Sequence, residues 1–454
     1  MLIEVACNKP ISRFRCGEDG EDITRISGKI GILQIQAYPG STTCPAHLTV
    51  TYYLYPSMKY YIIAGEASGD LHGSNLIKEL KKQDATTEVR CWGGDLMQQA
   101  GATVVKHYKD LAFMGFVEVL SNLRTIFKNL AFCKEDILSN QPDALILIDY
   151  PGFNLRIAKW AHAQGLKIIY YISPQVWAWK ENRVKQIKEN VHKMLVILPF
   201  EKEFYQKWQY PVEYVGHPLV EVIESCKLQA ASDKPRGLAS ETPLSQKPIP
   251  VAARPALPPS PLSDNSRPII ALLPGSRKQE ILKKLPIMLE VSRFFPDHLF
   301  VVAKAPGLDD GFYTSLLEHY PNVSSVRNDT YSLLLKAKAA CVTSGTATLE
   351  TALFGVPEVV CYKGSSISYQ IAKRLIKVKY ISLVNLIMDK LVVKELIQDD
   401  LNPGNLRKEL DELLNDPGRQ QQLRTDYQNL KTLLSEGGHA SANAAKSILQ
   451  YMRN

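Results

Sequence analysis

Two short stretches, one in each half of the chain, constrain the fold most: Gly65-Glu66-Ala67-Ser68-Gly69-Asp70 and Leu273-Pro274-Gly275-Ser276-Arg277. Each follows a short β-type run, at 60–64 and 269–272, and each leads into residues with helical spacing. A strand, a Gly-containing turn and a helix start are how α/β proteins present backbone N–H groups to a phosphate or diphosphate. One such turn says little. Two, one opening each half, predict two doubly wound parallel-sheet domains facing each other across a cleft.

A chain of 454 residues has room for two such cores. Its 45% hydrophobic and 22% charged residues suit a folded globular protein. The net charge of +8 is not gathered into one run. A nucleotide sugar or an acidic membrane surface satisfies it as well as a nucleic acid does, so charge selects no partner. Eight cysteines are scattered without a C-x-x-C pair or zinc-ligand spacing. Cys91 and Cys341 sit in β-type runs and read as buried free thiols, as in a reducing cytoplasm. No apolar run approaches the roughly 18 residues of a membrane-spanning helix, and no basic-then-apolar signal opens the chain. Any membrane contact is expected to be peripheral.

Residues 1–57 hold three of the cysteines and show no sustained period. Met58-Lys59 and the apolar strand after it read as a natural chain start, with 1–57 as an extension that is not native. From Met58 to about Val222, candidate strands at 60–64, 89–92, 144–149, 167–172 and 193–198 alternate with helical patterns such as 154–164. Near-continuous apolar strands of this kind indicate a parallel sheet covered on both faces. A Pro-rich stretch, 228–267, reads as a disordered insert within a hinge at 223–267. The alternation resumes with strands at 269–273, 299–303, 339–343 and 358–362 and helices near 278–294, 331–337 and 346–354. Domains at 58–222 and 268–454 make a GT-B-like pair of Rossmann-like units the expected architecture.

Several motifs carry chemistry, each with a plainer alternative. Gly65 and Gly69 allow close ligand approach, and Ser68 can cap a helix starting near Leu71; the alternative is an ordinary βα turn. In Gly275-Ser276-Arg277 a guanidinium joins such a turn, suited to a diphosphate, unless it pairs with a carboxylate such as Glu280. Ser344-Gly345-Thr346 opens another helix N-terminus, and Glu350, about one turn in, can accept from both ribose hydroxyls or serve only as a first-turn glutamate. Asp149 ends the most apolar strand, at the carboxyl edge where ligands bind. It can act as a general base or cap the next helix. Trp177 and Trp179 can line a sugar-stacking wall or plug a core, and His217 can reach the cleft or rest as a satisfied hinge imidazole. Apolar residues Met114, Phe116, Val117, Leu120, Leu123, Ile126, Phe127 and Leu130, with Arg124 and Lys128 alongside, read as a core-facing helix or as a membrane-docking and acyl-chain surface. No Asp-x-Asp occurs. With no candidate for a metal-bridged diphosphate, no metal or other cofactor is expected.

Taken together, these motifs resemble the lipid-A-disaccharide synthases. The resemblance rests on 65–70, Met114-Gly115-Phe116-Val117-Glu118-Val119-Leu120, Asp149-Tyr150-Pro151-Gly152-Phe153-Asn154, 173–180, Gly216-His217-Pro218, 273–277 and 344–350. It extends to Ala372-Lys373-Arg374-Leu375-Ile376 and Ile381-Ser382-Leu383-Val384-Asn385-Leu386. It covers the chain from about Met58 on, apart from the Pro-rich insert. It implies a GT-B, metal-independent, inverting transferase that joins UDP-2,3-diacylglucosamine to 2,3-diacylglucosamine 1-phosphate (lipid X), releasing UDP. It implies Asp149 as base or acceptor-positioning group; Glu66, Glu118 and His217 are other titratable candidates for that role. It also implies Ser68, Gly275, Ser276, Arg277, Ser344, Gly345, Thr346 and Glu350 around the UDP-sugar, and 114–127 toward acyl chains. Its partners are these two lipids and the cytoplasmic face of the inner membrane, with no nucleic acid, and a homodimer is compatible. The rivals are a UDP-sugar 2-epimerase and a nucleotide-sugar-binding regulator without turnover.

Overall fold

The computed structural model describes residues 31–37, 48–53, 57–111, 123–179, 181–232, 262, 267–305, 307–364 and 379–453. Within the first 57 residues, β1 (Gly31–Ala37) pairs antiparallel with β2 (Leu48–Tyr53). No sustained period is evident there because the alternation Leu33-Gln34-Ile35-Gln36 and Thr49-Val50-Thr51 is short and flanked by Gly, Pro and Thr.

Seven strands follow: β3 (Lys59–Ala64), β4 (Glu88–Gly93), β5 (Thr103–His107), β6 (Ala144–Ile148), β7 (Lys167–Tyr171), β8 (Lys193–Val196) and β9 (Glu213–Tyr214). They form one sheet in the order β5-β4-β3-β6-β7-β8-β9. A second, six-stranded sheet holds β10 (Ile269–Leu273), β11 (Leu299–Lys304), β12 (Val323–Arg327), β13 (Ala337–Thr343), β14 (Glu358–Tyr362) and β15 (Lys394–Ile397), in the order β12-β11-β10-β13-β14-β15. Every pair within the second sheet is parallel, as are β3/β4, β4/β5, β3/β6, β6/β7 and β8/β9 in the first. Helices sit between successive strands. All five residues of β6, Ala-Leu-Ile-Leu-Ile, and all five of β10 are buried, as a strand covered on both faces requires.

The nine strands read from the sequence are the inner strands of the two sheets. The four strands of these two sheets that it missed, β5, β9, β12 and β15, are their four edges. An edge strand is covered less completely, so it need not be continuously apolar: β5 is Thr-Val-Val-Lys-His and β12 is Val-Ser-Ser-Val-Arg.

The chain divides into two compact units. One comprises Met1–Pro174, Gln186–Met194 and Ser441–Asn454, the other Gln175–Lys185 and Leu195–Ala440. The closing helix Ala440–Arg453 is tied to the first unit, where Lys167 and Lys193 lie over the Tyr451 ring. In the second, Gly216 (φ 93°) meets the backbone of Gly437 and Gly438 so closely that a Cβ on Gly216 would come 3.0 Å from the Gly438 carbonyl oxygen.

Two local expectations change. The helix Pro218–Ser232 continues into the stretch read as a disordered insert, because 228–232 contain no proline. Farther along, Leu262 is buried and its carbonyl accepts a hydrogen bond from Lys336 Nζ at 2.6 Å. Among the described residues no helix is long and apolar enough to cross a membrane.

Candidate active site

Both sheets reverse strand order once, between β3 and β6 and between β10 and β13. Ligands of open α/β sheets bind beyond the strand ends at this reversal. Ala64 of β3 is in register with Ile148 of β6, and Leu273 of β10 with Val342 of β13. The turns after β3 and β6 therefore emerge side by side, as do those after β10 and β13. These are four of the turns singled out from the sequence.

At the first reversal, Asp149 and Tyr150 occupy the left-handed region, with φ of 43° and 49°. Asn154, fully buried, holds this turn through Nδ2, which donates to the carbonyls of Asp149 (2.7 Å), Ile148 (3.2 Å) and Ile63 (3.4 Å). Tyr170 Oη donates to the Asp149 carbonyl at 2.5 Å. The Tyr150 ring covers Gly65 so closely that a Cβ there would meet ring carbons at 2.4 Å. Burial, reinforced by the Glu66 charge, raises the Asp149 carboxyl to about 7. A carboxyl in that range is ionised in substantial fraction near neutrality and still basic enough to take a proton.

The helix after β3 starts at Ala67, not near Leu71, and Glu66 is at its N-cap. Ser68 is thus in the first turn and is not the cap, because the chain turns helical directly beyond Glu66. Asp70 faces inward instead. Its carboxylate accepts from the backbone N–H groups of Gly94 (2.8 Å), Leu96 (3.1 Å) and Met97 (3.1 Å), closing the start of the helix Asp95–Gln99.

At the second reversal, Gly275 has φ 112°, and a Cβ there would lie 2.7 Å from Glu280 Oε2 and 3.5 Å from Thr343 Cγ2. Only glycine suits both the backbone and the space. Arg277 is the N-cap residue of the helix Lys278–Ser292, half exposed, with Nη1 3.3 Å from Glu280 Oε1. The carboxylate contact weighed from the sequence is therefore present. Gly345, φ 152°, is the N-cap residue of the helix Thr346–Phe354, and its carbonyl accepts from the Thr348 N–H at 3.2 Å. Gly345 and Thr346 are exposed. Ser344 Oγ donates to the Ile381 carbonyl at 2.7 Å and so ties the turn to the next loop. Glu350 accepts from Tyr331 Oη at 3.3 Å, and burial pushes its carboxyl above the usual range.

Other expectations resolve by burial. His217, 2% exposed, precedes the helix Pro218–Ser232, and its Nδ1 accepts from the Leu219 N–H at 3.3 Å. Trp177 is a core plug: it is buried, packs edge-on against Phe200 and donates from Nε1 to Glu201 at 3.3 Å. Met114, Phe116, Val117, Glu118, Leu120 and 372–376 lie outside the described residues, as do the side chains of Leu123 and Trp179. In the helix Leu123–Asn140, Leu130, Cys133 and Ile137 face the core, while Phe127 is 64% exposed. Phe127 is not a core residue.

Sequence reading missed Asn154 as the clamp on Asp149, and it missed Lys284. Lys284 follows Ile281 by three residues and precedes Met288 by four, which places a lysine on an otherwise apolar helix face. That misfit was legible.

Comparison with known proteins follows the same outline. The lipid-A-disaccharide synthetase family profile matches residues 60–245 and 260–451. A lipid-A-disaccharide synthase of Geobacter metallireducens is 37% identical over 402 residues, 87% of this chain and 98% of the relative. One from Coxiella burnetii is 35% identical over 391 residues, 85% of this chain and 96% of the relative. Among solved structures, a UDP-GlcNAc 2-epimerase from Neisseria meningitidis superposes with TM-score 0.57 at 13% identity, covering 87% of this chain and all of its own. The glycotransferase of kitacinnamycin also gives 0.57, at 15% identity, covering 88% and 100%. At such identities the structural likeness shows the fold alone: a GT-B arrangement of two parallel-sheet α/β domains.

Proposed function

The chain belongs to the lipid-A-disaccharide synthase family, and from that premise we propose which residues do its work. The enzyme is a glycosyltransferase of lipid A disaccharide synthesis, using a UDP-sugar donor and a lipid acceptor. The family reaction moves the diacylglucosamine of UDP-2,3-diacylglucosamine to the 6-hydroxyl of 2,3-diacylglucosamine 1-phosphate, with inversion from α to β.

Asp149 takes the proton from the acceptor hydroxyl. The freed oxygen attacks the anomeric carbon on the face opposite UDP, and the bond to the diphosphate breaks. The observation that carries this reading is the Asp149 turn itself, a strained pair at a sheet reversal whose carboxyl is raised to about 7 beside Glu66. Enzymes hold backbone strain where chemistry uses it.

Arg277, Gly275, Ser276 and the helix start at Ser344, Gly345 and Thr346 receive the diphosphate and its growing charge. Glu350 is positioned for the ribose hydroxyls. Ser68 lies in the first turn of a helix whose N-terminus favours an anion. In this reading the 268–454 portion binds the donor. The 58–222 portion takes the acceptor, and exposed Phe127, with exposed Arg124 and Lys128 on the same helix, meets the cytoplasmic face of the inner membrane.

The test supplies detergent-dispersed UDP-diacylglucosamine and lipid X and follows disaccharide 1-phosphate and UDP. Stoichiometric product from the parent, with almost none from a folded Asp149→Ala, supports the assignment. Full turnover by that variant removes Asp149 as the base.

A further inference from the structure

The helix Lys278–Ser292 buries Ile281, Leu285, Met288 and Leu289. Lys284 shares their face, and its side chain is 2% exposed. An ammonium removed from water needs a counter-charge. Glu280, one turn earlier, supplies it, with Oε2 3.7 Å from Lys284 Nζ. The other oxygen, Oε1, lies 3.3 Å from Arg277 Nη1. Oε2 is also pressed against the turn, because a Cβ on Gly275 would meet it at 2.7 Å. One carboxylate is therefore divided between a buried cation and a half-exposed guanidinium, with the Gly275 turn packed against it. Burial draws the Lys284 ammonium below the usual lysine range, and the Glu280 charge opposes that shift.

We infer that Lys284 is a positioning residue for Arg277: it draws Glu280 inward, so that the guanidinium meets one carboxylate oxygen and can exchange that contact for a diphosphate. The inference rests on the assignment of Arg277 to the donor diphosphate. Without Lys284, both oxygens of Glu280 are available to Arg277. A bidentate arginine–carboxylate pair is a strong, well-oriented contact, and it competes with the diphosphate. Lys284 thus acts on donor binding without touching the donor.

The experiment compares Lys284→Met, Glu280→Gln, the double variant and Arg277→Ala by KM for the UDP-sugar, KM for the acceptor, kcat and melting temperature. Lys284→Met is expected to raise the donor KM about three- to tenfold and to leave the acceptor KM unchanged. The double variant is expected to return the donor KM to within about twofold of the parent, because a neutral amide in place of the Glu280 carboxylate no longer competes for Arg277. Glu280→Gln alone strands the buried ammonium and lowers the melting temperature more than the double does. A side chain that only packs gives no such rescue. A parental donor KM for Lys284→Met overturns the inference, as does a double variant impaired as much as Lys284→Met. If Lys284→Met does not fold, Lys284→Gln takes its place in the same comparison. If Arg277→Ala leaves the donor KM unchanged, the assignment of Arg277 falls. If Arg277→Ala raises it and Lys284→Met does not, only the positioning role falls.

Discussion

At the reversal of the first sheet, positive φ falls on Asp149 and Tyr150; at that of the second, it falls on Gly275 and Gly345. The first turn is closed over by side chains. The Tyr150 ring fills the space above Gly65, and Asn154 and Tyr170 hold the Asp149 carbonyl. The second has no side chain at its strained positions and carries its charge on Arg277, half exposed. A non-glycine residue in the left-handed region costs about 1–2 kcal/mol. It persists only where surrounding contacts over-determine it. The same topology thus carries two different turns: in one sheet a half-buried carboxyl held beside Glu66, in the other two glycines and a guanidinium that meets Glu280.

Removing the carboxyl attacks the comparison hardest. Asp149→Asn keeps shape and backbone preference but cannot take a proton, and kcat should fall at least about a hundredfold. In the parent, log kcat/KM should rise with pH with slope one and level off near pH 7, because the active form is the ionised carboxyl, raised to about 7. A profile already flat from pH 5 would separate Asp149 from proton transfer. The sign for stability is opposite. The native state holds a proton on Asp149 that the unfolded chain releases from about pH 4 upward, so this group's contribution falls between about pH 4 and 7 and is then constant. Denaturant midpoints of parent and Asp149→Asn across that range should diverge accordingly.

On the other side of the comparison, Arg277→Ala should lower kcat/KM for the donor about ten- to a hundredfold while leaving the melting temperature within a few degrees, as its ion pair is partly solvated. An equal loss for donor and acceptor would blur the contrast between the two turns.

Asn154→Ala removes the clamp on the strained turn and should destabilise by about 1–3 kcal/mol in urea titrations, because its amide serves three carbonyls. Two glycines should act in opposite directions, and the smaller effect closes the series. Gly275→Ala should destabilise by about 1–3 kcal/mol, since φ and space both forbid it. Gly152→Ala, with nothing within 4 Å of its added Cβ and a helical position, should instead stabilise by about 0.4–1 kcal/mol. Thermal melts of the two, side by side, show whether only one of the two turns needs its glycine.

The inner strands, the four loaded turns and the family resemblance were legible in the residues because central parallel strands must be apolar throughout, and because a strand-to-helix turn has few ways to be written. Edge strands such as Val323–Arg327 were not legible, since partial cover leaves their composition open. Nor was the role of each polar side chain. His217 is a titratable candidate in the sequence, but in the fold it is buried and accepts a backbone N–H through Nδ1, while Asp70, given no role there, accepts from three backbone N–H groups. Lys284 is legible as a lysine on an apolar helix face, but the carboxylate it meets there, Glu280, is set by the fold. Local spacing specifies which residues share a strand or a helix face, and that much follows from the backbone period. Which of them lose water, and which charge each then meets, depends on residues brought near from elsewhere in the chain. Desolvation and pairing are set by those neighbours, as the Asp149 carboxyl, lifted by burial and by Glu66, makes plain.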